Sequence, residues 1–141
     1  MLNVTNLDAT YIGRNAFNRC QLSGIINLVE CLELGESTFS NCNNITEIHA
    51  PKLTTINKFT NWSNLSNLEV LDLPVTTRLS YVQNNPKLTT INAPLATTFG
   101  TYGDTTCSFS NCPLLSTLNI NFSSVTILGN NCFNSDAGLN G

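Results

Sequence analysis

The stretch Phe39-Ser40-Asn41-Cys42-Asn43-Asn44-Ile45-Thr46-Glu47-Ile48-His49-Ala50-Pro51 decides the fold. Its opening word returns as Phe109-Ser110-Asn111-Cys112, and the apolar spacing of Ile45, Ile48 and Ala50 returns behind it as Leu115, Leu118 and Ile120. Two identical cysteine words are either halves of one chemical centre or copies of one structural unit. Extending the alignment in both directions favours the second reading.

Aligned on the word, a first column holds Phe17, Phe39, Trp62, Val82, Phe109 and Phe133, with separations of 22, 23, 20, 27 and 24 residues. Three residues on comes a second column, Cys20, Cys42, Leu65, Asn85, Cys112 and Asp136, and three further a third, Ser23, Ile45, Leu68, Leu88, Leu115 and Leu139. From there the pattern apolar-x-x-apolar-x-apolar also runs through Leu68, Leu71, Leu73 and through Leu88, Ile91, Ala93. Its last two members stand two apart, the alternation of a short strand with one buried face. Pro51, Pro74 and Pro94 follow three of these strands and end the pairing, because proline has no amide hydrogen to donate. A return column of Ile12, Leu34, Ile56, Leu79, Phe99 and Leu128 is followed by glycine at 13, 35, 100 and 129, which reads as a tight turn.

A strand, a turn, an opposite apolar arm and a second turn thus make one coil of 20–29 residues, the period of a leucine-rich-repeat solenoid. The expected fold is β-rich with little helix: about six coils over residues 1–141 as a single domain, with one parallel strand ladder on the concave face. At ~4.8 Å per coil the stack is roughly 30 Å long. The full unit, read as LxxLxLP, an apolar-Gly arm and AFxxC, resembles the BspA-like (treponemal-type) leucine-rich repeat. Its best copies are Ile12-Gly13-Arg14-Asn15-Ala16-Phe17-Asn18-Arg19-Cys20, Leu34-Gly35 leading to Phe39-Ser40-Asn41-Cys42, and Leu128-Gly129-Asn130-Asn131-Cys132-Phe133. Leu65, Asn85 and Asp136 depart from it at the Cys position and Val82 at the Phe position. The resemblance implies adhesion to host or bacterial surfaces and an extracellular or cell-surface location.

Composition excludes other classes. Six Lys and Arg, scattered, with a net charge of −3, give no basic patch for phosphate neutralisation, so no nucleic-acid partner is expected. No apolar run approaches the ~20 residues of a membrane span, and no basic or apolar signal region opens the chain. Only 11% of residues are charged, against ~25% in ordinary soluble domains, and Asn, Ser and Thr take the polar positions. Leu2 and Val4 already read as strand, and Leu139 as the start of a seventh, which predicts a fragment of a longer array or an open-ended domain.

Four places carry chemistry-bearing side chains. The cysteines, at 20, 31, 42, 107, 112 and 132, contain no CxxC pair, and Leu65 and Asn85 interrupt their column. They read as buried structural thiols with no metal and no cofactor; bridges from Cys20 to Cys42 or Cys107 to Cys132 are the alternatives. The exposed strand face sets Asn3, Asn27, His49, Asp72, Asn92 and Asn119 in one column beside Ile25, Glu47, Val70, Thr90 and Thr117. Glu47, His49 and Asp72 therefore meet, but an open sheet offers neither nucleophile nor enclosure, so no catalytic residue is assigned. Third, ten residues separate Phe99 from Phe109 where five separate Ile12 from Phe17, so Gly100-Thr101-Tyr102-Gly103-Asp104-Thr105-Thr106 should bulge as a loop, with Tyr102 and Asp104 as contact candidates. Fourth, sequons at Asn3, Asn44, Asn61, Asn64 and Asn121 arise readily in so Asn-rich a chain, and Asn64 falls in a turn column with Asn41, Asn84 and Asn111.

The expected function is a non-catalytic cell-surface or secreted module that binds protein or glycan. Its contact set is Glu47, His49, Asp72, Asn92, Tyr102 and Asp104. The alternative is a structural spacer or self-assembly element joined end to end through open solenoid ends.

Overall fold

The computed structural model describes residues 6–56, 62–100, 109–134 and 137–139. Tyr102, Asp104, Cys107 and Asn3 lie outside them. In chain order the strands are β1 (Tyr11–Ile12), β2 (Ser23–Asn27), β3 (Glu33–Leu34), β4 (Asn44–His49), β5 (Thr55–Ile56), β6 (Val70–Asp72), β7 (Arg78–Leu79), β8 (Val82–Gln83), β9 (Thr90–Asn92), β10 (Thr98–Phe99), β11 (Phe109–Ser110), β12 (Thr117–Asn119) and β13 (Ile127–Leu128). Two single 3-10 turns, Phe122–Ser124 and Ala137–Leu139, are the only helical elements among the described residues.

The main sheet runs β12-β9-β6-β4-β2, all parallel, each strand one coil from the next. The return arms form two smaller parallel sheets, β1-β3-β5 and β13-β10-β7. This is the β-solenoid expected of a leucine-rich repeat. Ala50, Leu73 and Ala93 make the last cross-coil backbone bonds of their strands, at 2.9, 2.8 and 3.0 Å, and a proline follows each one. Inside lie the strand residues Ile26, Ile48, Leu71 and Ile91, facing the arm residues Ile12, Leu34, Leu79 and Phe99. No coil could bury this surface alone, which is why the stack holds together.

The Phe column forms an aromatic spine. Phe17 and Phe39 stack at 5.6 Å between ring centroids, Phe39 and Trp62 at 6.4 Å, and Phe109 and Phe133 at 5.2 Å. Each following turn needs one residue in the left-handed region, and Arg19, Asn41, Asn64, Asn84 and Asn111 sit there at φ between 55° and 62°. Asparagine tolerates that conformation better than other residues bearing a Cβ, so the Asn column is a backbone requirement.

Two expectations, on Ser23 and on Leu139, need correction. Leu22, not Ser23, fills the core of its repeat: it is fully buried, four residues before Ile26, and beside it the β2–β4 register shifts between Gly24, at φ +74°, and Ile25, so that Thr46 of β4 is passed over in the pairing. Beside Asn27 the described residue of the first coil is Asn6, which bridges to it; Asn3 lies outside the described residues. Leu139 lies in a 3-10 turn packed on the core and starts no strand. Of the arm glycines described, only Gly100 has positive φ. Gly35 serves close approach: a Cβ there would collide with the backbone of Arg14 and stand 2.7 Å from the Gly13 carbonyl carbon.

Candidate functional site

The Cys column comes first. Cys20, Cys31 and Cys42 are free thiols; Cys31, Cys42, Cys112 and Cys132 are buried and Cys20 is exposed, and burial pushes the Cys31 and Cys42 thiols up, away from the reactive thiolate. Cys31 donates within its own coil, to the Glu33 carbonyl, while Cys42 and Cys112 work between coils. Cys42 Sγ donates to the Phe17 carbonyl at 2.8 Å, and Cys112 Sγ to the Val82 carbonyl at 3.7 Å. Asn85 occupies the same slot and does more: fully buried, it donates from Nδ2 to the Trp62 carbonyl at 2.7 Å and accepts from the Leu65 amide at 2.9 Å. The slot residue therefore satisfies the turn of the preceding coil. Threonines repeat the device: Thr76 donates to the Leu53 carbonyl at 2.6 Å, and Thr126 to the Thr97 carbonyl at 3.1 Å. An apolar alignment does not show this role; only the donor-bearing side chains at Cys20, Cys42, Asn85 and Cys112 hint at it.

The strand face is the second place. Register sets Ile25, Glu47, Val70, Thr90 and Thr117 side by side, and next to them Asn27, His49, Asp72, Asn92 and Asn119, as the alternation predicts. Four of the six contact candidates, Glu47, His49, Asp72 and Asn92, thus meet on adjacent coils. His49 lies between two carboxylates: Nε2 is 2.8 Å from Glu47 Oε2 and Nδ1 is 3.2 Å from Asp72 Oδ2. Asp72 also accepts from Asn92 Nδ2 at 2.5 Å, and Asn92 from Asn119 Nδ2 at 2.6 Å. At the other end Asn27 donates to Asn6 at 3.1 Å. One row of side-chain hydrogen bonds thereby runs from Glu47 across four coils to Asn119.

The electrostatics follow from that row. Partial burial works against charge on His49, but the hydrogen bonds and charges of Glu47 and Asp72 outweigh it and raise its pKa above the ordinary value. Because the carboxylates sit on opposite ring nitrogens, they do not converge on one point. Among the described residues no three His, Cys, Asp or Glu side chains are arranged to hold a metal ion. The three side chains are each about 30% exposed, and the described residues enclose no pocket.

The same six-fold pattern is what a comparison with protein families finds. The family model of the BspA type leucine rich repeat region matches residues 4–107 and 80–140, in six copies. Comparison with curated proteins and with solved structures gives no match. With the strand ladder, the Phe spine and the Cys slot all accounted for over nearly the whole length, the chain belongs to the BspA-type leucine-rich repeat family.

Proposed function

We propose that the chain is a non-catalytic binding module of a cell-surface or secreted protein, contacting a protein or glycan partner through its strand face. BspA-type repeats are commonly surface-associated and often serve binding or adhesion, and their solenoid is typically a scaffold without catalytic machinery. The observation that carries the reading is the row Glu47, His49, Asp72, Asn92, Asn119, whose hydrogen bonds hold five polar groups in fixed orientation on neighbouring strands. Groups held in this way lose little further freedom when they meet a partner. Donors and acceptors at strand spacing suit a repeating partner, such as an extended peptide or a sugar chain. Tyr102 and Asp104, which lie outside the described residues, complete the contact set expected from the sequence.

The test is a screen of wild type and a Glu47→Ala/His49→Ala/Asp72→Ala/Asn92→Ala variant against a glycan array and a panel of immobilised cell-surface proteins. The expected result is a partner that holds wild type and releases the variant about tenfold or more, since 1.4 kcal/mol, roughly one or two lost hydrogen bonds, is a factor of ten. A partner that binds both equally would move the contact surface elsewhere.

A further inference from the structure

We propose that Glu47, His49 and Asp72 form a protonation-gated clip between two coils: the doubly protonated ring ties β4 to β6, and loss of one proton releases Asp72 while Glu47 keeps its bond. The contacts require it. An imidazolium carries two N–H groups and can donate to both carboxylates at once, at 2.8 and 3.2 Å. A neutral ring carries one N–H, so the other nitrogen turns its lone pair toward a carboxylate oxygen, and that contact becomes repulsive.

The geometry also says which contact gives way. The bond to Glu47 is the shorter, and Glu47 has no second donor among the described residues. Asp72 has Asn92 Nδ2 at 2.5 Å. The proton therefore leaves Nδ1 for solvent, Nε2–H stays with Glu47, and Asp72 turns toward Asn92. Because Asn92 accepts in turn from Asn119, the change reaches three coils beyond the histidine.

No other charged side chain faces the ring from the paired strands. In register β2 presents Ile25 and Asn27, and β6 presents Val70 and Asp72. The two carboxylates hold the imidazolium beyond the ordinary histidine range, so the clip opens above a pH of about 6.5. Opening changes the charge of this cluster from −1 to −2 on the face proposed above for binding. The clip itself does not depend on that face having a partner.

His49 is the sole histidine, so its ring gives one unambiguous signal pair in two-bond 1H–15N spectra of the 15N-labelled protein. Across a pH titration of wild type, the expected result is a midpoint above about 6.5. Both nitrogens should be protonated below it and the Nε2–H tautomer present above it. The side-chain amide signals of Asn92 and Asn119 should move with the same midpoint. Glu47→Gln and Asp72→Asn should each lower it. A wild-type midpoint at or below 6.5, an Nδ1–H tautomer at high pH, or Asn92 signals that ignore the transition would each overturn the proposal, and none of these readings needs a variant to fold.

Discussion

Asn85 offers the sharpest test of how the coils are joined. Its side chain is fully buried and satisfies two backbone groups of the preceding coil, the Trp62 carbonyl and the Leu65 amide. Replacing it by alanine strands both away from water, and a buried backbone group left without a partner costs ~1–3 kcal/mol. Asn85→Ala should therefore cost about 2–6 kcal/mol, a large share of the ~5–15 kcal/mol that a domain has in total. Asn85→Cys restores the donor used by Cys42 and Cys112 in this slot, leaves only the Leu65 amide unpaired, and should cost about half as much, ~1–3 kcal/mol. Urea unfolding followed by fluorescence gives the values, and Trp62, the only tryptophan, sits fully buried in the adjoining coil and reports locally. If Asn85→Ala lies within about 0.5 kcal/mol of wild type, or if cysteine proves as costly as alanine, side-chain bonding between coils is not what the slot supplies.

Gly35→Ala should lose ~1–3 kcal/mol in the same unfolding assay because its Cβ meets the Arg14 and Gly13 backbone, whereas Gly13→Ala meets only the Tyr11 ring at 3.7 Å and should be close to neutral. Asn41→Val forces a β-branched residue to φ 62° and should cost ~1–2 kcal/mol, while Asn41→Gly should cost little or nothing. The pKa of His49 is raised on folding, so its contribution to stability is complete below pH about 6.5 and fades as pH rises through the folded value. The stability difference between wild type and His49→Gln, measured by urea unfolding from pH 5 to 9, should accordingly shrink with rising pH.

The pattern of apolar residues carried the ladder, its register and most of the site into view. Where Ile45, Ile48 and Ala50 repeat as Leu68, Leu71 and Leu73, the intervening His49 and Asp72 have no freedom but to lie side by side. The same pattern failed where a repeat departs from even spacing. In the coil containing Leu22 the core residue stands four, not three, positions before Ile26, beside a register shift at Gly24, so counting back three from Ile26 lands on Ser23. At the first coil it is Asn6 that bridges to Asn27, a place that no apolar alternation marks. Hydrogen bonding between coils left even less trace. Asn85 differs in polarity and size from Cys42 and Cys112, and what the three share is a donor aimed at a carbonyl 23 to 30 residues back, a property no periodicity of hydropathy reports.

The direction of those slot bonds bears on how such an array can be rearranged. A coil closed by cysteine asks its predecessor only for a carbonyl, which every coil has, so units of that kind are exchangeable. The unit closed by Leu65 donates nothing from its slot, and its own amide is met by Asn85 from the next. These two units are a couple: a duplication, deletion or shuffled boundary that falls between them leaves a buried amide with nothing to bond. Recombination that respects function should therefore cut on either side of the pair and never through it.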